Sequence, residues 1–307
     1  DSILVATTVS KAHSDKFGAL VIQDEGGRMK PIHTFSSQLL RKLSGKNEFN
    51  GMNPDQVFIS MMLNPPAWYN AEFIALGKKE NDSIREIVGV EKGRKYVKAT
   101  DFFDATGMYK LKPYLEEATS TNNPNNFQKD FKKVNERLSL LNMALSGEIV
   151  KIFPLLNDEN NKWISPVEFR SGRYQVVDSL YANFMNNGFA YFKHTVQQAI
   201  KTGDYTEADK LLAAFKQNQV NHGSEVLPSE KKIKTEILYN KLDIFNRLYK
   251  YYLLVGALLF FILVFKIFKE RKVWDAAAYF LKGTIILFFI WHTAGLILRW
   301  YISCHAP

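Results

Sequence analysis

The chain has 307 residues, a formal net charge of +9 and one cysteine, Cys304. A single cysteine excludes an intrachain disulfide framework, a cysteine zinc cluster and a C-x-x-C-H haem attachment site. The basic residues are scattered, as in Lys92, Arg94, Lys95 and Lys98, and no zinc finger, helix-turn-helix or RNA-binding aromatic motif accompanies them, so they read as solvated surface and not as a nucleic-acid footprint. Hydrophobic residues at 46% and charged residues at 23% are ordinary averages that hide an uneven layout. Residues 1–245 are mixed and polar, whereas 251–301 are strongly apolar.

In chain order, Leu20 to Ile32 reads as a β-hairpin turning on Asp24-Glu25-Gly26-Gly27, where paired glycines suit a positive φ. Thr34 is placed to cap a short helix over 35–43. Asn53-Pro54 opens another helix, which ends before Asn64-Pro65-Pro66. Thr100-Asp101 marks a further helix start. From Pro124 to Ser146 a stripe of Phe127, Phe131, Val134, Leu138, Leu141 and Leu145 predicts a helix. A strand is predicted over 148–155, then a polar turn, then helices over 174–202 and 205–219 with breaks at Gly203 and Gly223. Ser229 caps a last helix, predicted to run unbroken from Glu230 into the first apolar segment.

Two segments have the length and composition of membrane spans, at about 248–268 and 281–300. Tyr249, Tyr251 and Tyr252 lie at the start of the first, and Trp300 and Tyr301 close the second, as an aromatic belt does. The short loop between them carries Lys266, Lys269, Arg271 and Lys272 against Glu270 and Asp275. By the positive-inside rule that loop is cytoplasmic, which puts residues 1–245 outside the cytoplasm; Arg247, Lys250 and Arg299 weigh against this on the other side. With no initiator Met, no secretory signal in 1–10 and a stop at Pro307 just after an apolar helix, the chain reads as a piece of a longer polypeptide.

His292 sits inside the second span, where an ionisable side chain is costly and often functional, although a histidine bonded to another helix is an equally good reading. His305 follows the outer end of that span and has the chemistry of an iron ligand, with an ordinary loop histidine as the plainer alternative. His13, His33, His194 and His222 show no paired metal-ligand spacing and read as surface or core residues. No phosphate-binding loop, nucleophile elbow or other catalytic constellation is present in the motif sense.

The segment Arg299-Trp300-Tyr301-Ile302-Ser303-Cys304-His305-Ala306-Pro307 resembles the RWYISGHAP segment of the CcsA family of cytochrome c biogenesis proteins. Gln23 to Thr34, containing Gly27-Arg28-Met29-Lys30-Pro31, is similar to a segment of the fused CcsB–CcsA (ResB–ResC) proteins of Bacteroidetes-type bacteria, as are Ala12 to Gly18 and the stretch from Pro228-Ser229 to Tyr239-Asn240-Lys241. The resemblance implies a place in the System II cytochrome c synthase, which moves haem to the outer face of the membrane and joins its vinyl groups to apocytochrome thiols. It implies b-type haem in transit as cofactor, His305 and His292 as candidate ligands, and the membrane, apocytochrome c and the remaining CcsB and CcsA segments as partners. Two departures stand out. Cys304 replaces the usual glycine, and the tryptophan-rich WGxxWxWD motif is absent, none of Trp68, Trp163, Trp274, Trp291 and Trp300 forming it.

The expectation is therefore a mainly α protein with a small β-hairpin component: an extracytoplasmic α+β domain over 1–245, then two transmembrane helices within 246–307, in a bacterial inner membrane. The expected role is haem delivery and cytochrome c assembly, with no catalytic residue and no activity for this segment alone. The rivals are a membrane-anchored sensor or interaction domain without haem chemistry, and a structural subunit of an envelope complex.

Overall fold

A computed structural model describes residues 4, 6–76 and 82–303. The chain is mainly helical with a small β component, as its pattern predicts; among the described residues the strands form three two-stranded antiparallel sheets. It divides into two compact units, residues 1–227 and 228–307.

The first unit begins with α1 (Lys11–Gly18), opened by the Ser10 hydroxyl accepting from His13 N. Strands β1 (Val21–Gln23) and β2 (Met29–Pro31) form the predicted hairpin, with Gly27 at φ +80° in the turn. Helix α2 (Ile32–Ser44) starts directly off β2, three residues earlier than expected, because Pro31 already holds the cap position and Thr34 is buried inside the helix. Helix α3 (Pro54–Leu63) has a reciprocal capping box between Asn53 and Gln56. Pro65 then ends one helix and opens the next, α4 (Pro65–Tyr69), since proline is tolerated in a first turn.

Beyond it, β3 (Ile74–Ala75) pairs with β4 (Tyr96–Val97) around α5 (Asp82–Val88). Thr100-Asp101 opens only a 3₁₀ turn, Ala99–Phe102. After α6 (Lys112–Ser120), the long α7 (Asn126–Ser146) buries the predicted stripe at Phe131, Val134, Leu138, Leu141 and Leu145. The strand predicted over 148–155 shortens to β5 (Phe153–Pro154), paired with β6 (Trp163–Ile164); Pro154 has no N–H to extend the ladder. Then come α8 (Pro166–Arg170), α9 (Ser179–Thr202) and α10 (Thr206–Gly223). The start of α9 is set by Asp178, whose carboxylate accepts from Leu180 N and Tyr181 N, and not by Tyr174.

Strands this short cannot satisfy their own backbone, so buried side chains do it for them. Gln219 of α10 accepts from Val21 N at 3.2 Å and donates to Val21 O at 2.7 Å and Ile152 O at 3.2 Å. Gln23 accepts from Trp163 N at 2.7 Å and donates to Asn161 O at 3.1 Å. Two glutamines thus tie the first and third hairpins to α10.

Three helices converge on one buried carboxylate. Asp55, in the first turn of α3, is 1% exposed; it meets His33 Nδ1 of α2 at 2.6 Å and accepts from the Ser36 hydroxyl. Gly18 ends α1 against the same group: a Cβ there would lie 2.5 Å from Asp55 Oδ2. Gly18→Ala is therefore expected to destabilise the first unit by about 1–3 kcal/mol through overpacking. The check is a lowered urea midpoint with an unchanged slope, against an Ala substitution at exposed Lys11 as control.

The second unit contains α11 (Glu230–Leu242), α12 (Ile244–Phe268) and α13 (Lys272–Ser303). The helix expected to run unbroken from Glu230 is interrupted at Asp243, which adopts a left-handed conformation at φ +45°. Aspartate tolerates that conformation better than most residues, and Asp243 Oδ2 accepts from Asn246 Nδ2 at 2.9 Å. Both α12 and α13 are long and apolar enough to cross a membrane, and only 6% of each apolar window is buried, so neither is the core helix of a soluble fold.

Candidate functional site

Helices α12 and α13 lie antiparallel, joined by residues 269–271. At the loop end, Phe265 stacks on Trp274 and Lys266 meets Asp275 at 2.5 Å, which neutralises one of the loop's four cations. At the other end Gly295 brings the helices together: a Cβ there would lie 3.2 Å from both Ile244 Cγ2 and Phe245 Cζ.

His292 is one turn from Gly295 and so faces α12 with it. It is half-buried, its ring 5.0 Å edge-to-face from Phe245 and 6.4 Å from Tyr252. Phe288, a further turn back, packs on Tyr251 and Tyr252. Phe288, His292 and Gly295 make one inward stripe, in which the imidazole is the polar member. Its contacts among the described residues are with aromatic rings, and neither ring nitrogen has a hydrogen-bond partner there. Cys304 and His305 lie outside the described residues.

The histidines of the first unit are placed differently. His33 is locked to Asp55 in the core. His13 is fully buried, with Nδ1 2.7 Å from Asp209 Oδ1, while Lys16 pairs with the other carboxylate oxygen. Its ring lies 4.9 Å from Tyr205 and 5.8 Å from Phe192, and its Nε2 has no hydrogen-bond partner among the described residues. His222 rests on Tyr181 at 4.4 Å, and His194 is exposed. No group of three His, Cys, Asp or Glu side chains converges as a metal site among the described residues.

Pairings such as His13 with Asp209 and His33 with Asp55 join residues 196 and 22 positions apart, so no local motif announces them. Nor does the sequence single out Arg170 and Lys193, which α8 and α9 bring to one cleft beside the end of α7.

Compared with characterised proteins, the chain is 33% identical over 310 aligned positions to Protein NrfI of Wolinella succinogenes. The alignment takes in 97% of this chain and 32% of that protein, so the chain spans about a third of the relative's length. No protein-family model matches the chain.

Burial lowers the His13 imidazole from its ordinary value, outweighing the opposing pull of Asp209. Burial pushes the Asp209 carboxyl up, but Lys16 and His13 together outweigh it and hold the group below the usual carboxylate range. The unfolded chain therefore takes up the histidine proton first on acidification. The His13 contribution to stability is complete above about pH 6.5 and is lost as the pH falls through that value toward the lowered one. Acidification from pH 7.5 to 5.5 should depress Tm, by about 2–4 °C for each kcal/mol lost, and His13→Phe should flatten that slope in a melting series monitored by circular dichroism.

Proposed function

We propose that this chain belongs to a cytochrome c assembly protein, in which it supplies an extracytoplasmic domain and the first two spans of a haem-handling membrane module. The observation that carries this is the Arg299–Pro307 segment, which resembles the CcsA signature and continues a helix whose inward face bears His292. The match to Protein NrfI along nearly the whole chain supports a shared architecture for both units.

The environment of His292 would suit a residue that holds haem iron. An imidazole nitrogen without a hydrogen-bond partner is free to donate a lone pair to iron, and Phe245, Tyr252 and Phe288 supply flat apolar surface beside it. Haem, when bound, supplies the ligand-accepting iron and the vinyl groups that apocytochrome thiols attack. The chain's own work is positional. Gly295 fixes the spacing of α12 and α13, the aromatic rings set the orientation of His292, and His305, two positions beyond α13 in the sequence, is the second candidate ligand. The first unit, on the outer face, offers the surface for apocytochrome c, and Lys269, Arg271 and Lys272 hold the loop at the cytoplasmic side.

Two measurements test this. The whole gene product carrying this chain should purify with the reduced spectrum of b-type haem, and His292→Ala or His305→Ala should lower the haem-to-protein ratio several-fold. A haem-free product, or unchanged spectra in both variants, would favour a membrane-anchored interaction domain. For orientation, Val177→Cys in a Cys304→Ser background places a thiol at a fully exposed site of the first unit. A membrane-impermeant maleimide should label it in intact spheroplasts; labelling only after lysis would reverse the topology.

A further inference from the structure

In the first unit, the end of α7, the short α8 and the middle of α9 enclose a cleft of about 300 Å³. That is the lower end of the range for small-molecule pockets, about 300–1,000 Å³. Met62, Leu145 and Phe189 give it an apolar wall. Its charged lining residues, among those described, are Arg170 and Lys193, both positive, and no carboxylate lines it.

Several packed lysines elsewhere in the unit have partners; Lys110 donates to Val88 O and Asp101 O, and Lys162 to the Tyr174 hydroxyl. Lys30 pairs with Asp24 at 2.6 Å and Lys151 with Glu25 at 2.9 Å. Lys193 is half-buried yet makes no ion pair or hydrogen bond among the described residues. Burial lowers its ammonium from the ordinary lysine value, and the charge of Arg170 lowers it further, with no acid offsetting either. The Arg170 guanidinium is held in place by donating from Nη1 to Asn186 O at 3.2 Å. The C-terminus of α7 at Gly147 lends about half a negative charge against two full positive ones, so the cleft stays electropositive. A half-buried ammonium without a counter-ion carries a desolvation cost that a bound anion would offset.

We propose that this cleft binds a small amphipathic carboxylate, its anionic end between Arg170 and Lys193 and its apolar body against Met62, Leu145 and Phe189. The site is independent of the haem reading, since all its residues lie in the first unit and none is a candidate iron ligand.

The test uses the full chain in detergent and hexanoate as probe. Trinitrobenzenesulfonate modifies uncharged amines, and peptide mapping follows Lys193 against the exposed Lys201 in the same helix. Hexanoate should protect Lys193 saturably and leave Lys201 untouched. Arg170→Gln, at the exposed rim where folding is not at stake, should raise the half-protecting concentration at least about tenfold, as expected for loss of a charged hydrogen bond. Hexylamine should not protect, and inorganic phosphate should protect far more weakly. No saturable protection, equal protection by hexylamine or phosphate, or an unchanged midpoint in Arg170→Gln would each overturn the assignment.

Discussion

The first unit is organised around a charge it has to hide. Asp55 sits at the start of α3, where a helix N-terminus favours a carboxylate, and it is nearly inaccessible to water. Such a group is tolerated only when its oxygens are bonded. His33 and Ser36, three residues apart on α2, take one oxygen each, and Gly18 lets α1 close over what is left. The relative placement of α1, α2 and α3 follows from satisfying one side chain. The same three helices carry much of the apolar core, including Phe17, Leu40 and Phe58.

The second unit solves a different problem, since its outward faces are apolar and its polar groups are few. Close approach at Gly295 and ring packing among Phe245, Tyr251, Tyr252 and Phe288 hold α12 to α13 without relying on the hydrophobic effect, which does little between helices in lipid. His292 lies within that packing. Its surroundings orient the ring through aromatic edges and leave the nitrogens uncommitted.

Much of the helical framework was legible because its signals are local. The stripe on α7, the Asn53-Pro54 start of α3, the Gly26-Gly27 turn and the two apolar spans each announce themselves within a window of a few turns. The misplaced boundaries have a common physical origin. Ile32 enters a helix straight from a strand, Asp178 caps α9 after a run that looked helical from Tyr174, and Pro154 truncates β5; in each case tertiary hydrogen bonding or a single cap overrides pattern. Of the candidate site, the place of His292 within the second apolar segment could be read from the sequence, but its setting toward α12 and its aromatic neighbours could not. They come from residues 40 or more positions earlier, brought near only by the antiparallel return of the helices. The Arg170–Lys193 cleft was invisible for a similar reason, since its wall joins Met62 and the end of α7 to α8 and α9 only after folding.

Asp243 has a mechanical consequence for the spans. A continuous helix from Glu230 to Phe268 would be a rod of roughly 58 Å at 1.5 Å per residue, and any tilt at one end would appear undiminished at the other. The left-handed dihedrals of Asp243 end α11 and begin α12, while Asp243 N still donates to Tyr239 O at 3.3 Å and Asp243 O still accepts from Arg247 N at 3.1 Å, so two shorter bars meet at one bonded corner. The two stretches therefore take separate headings from that one residue.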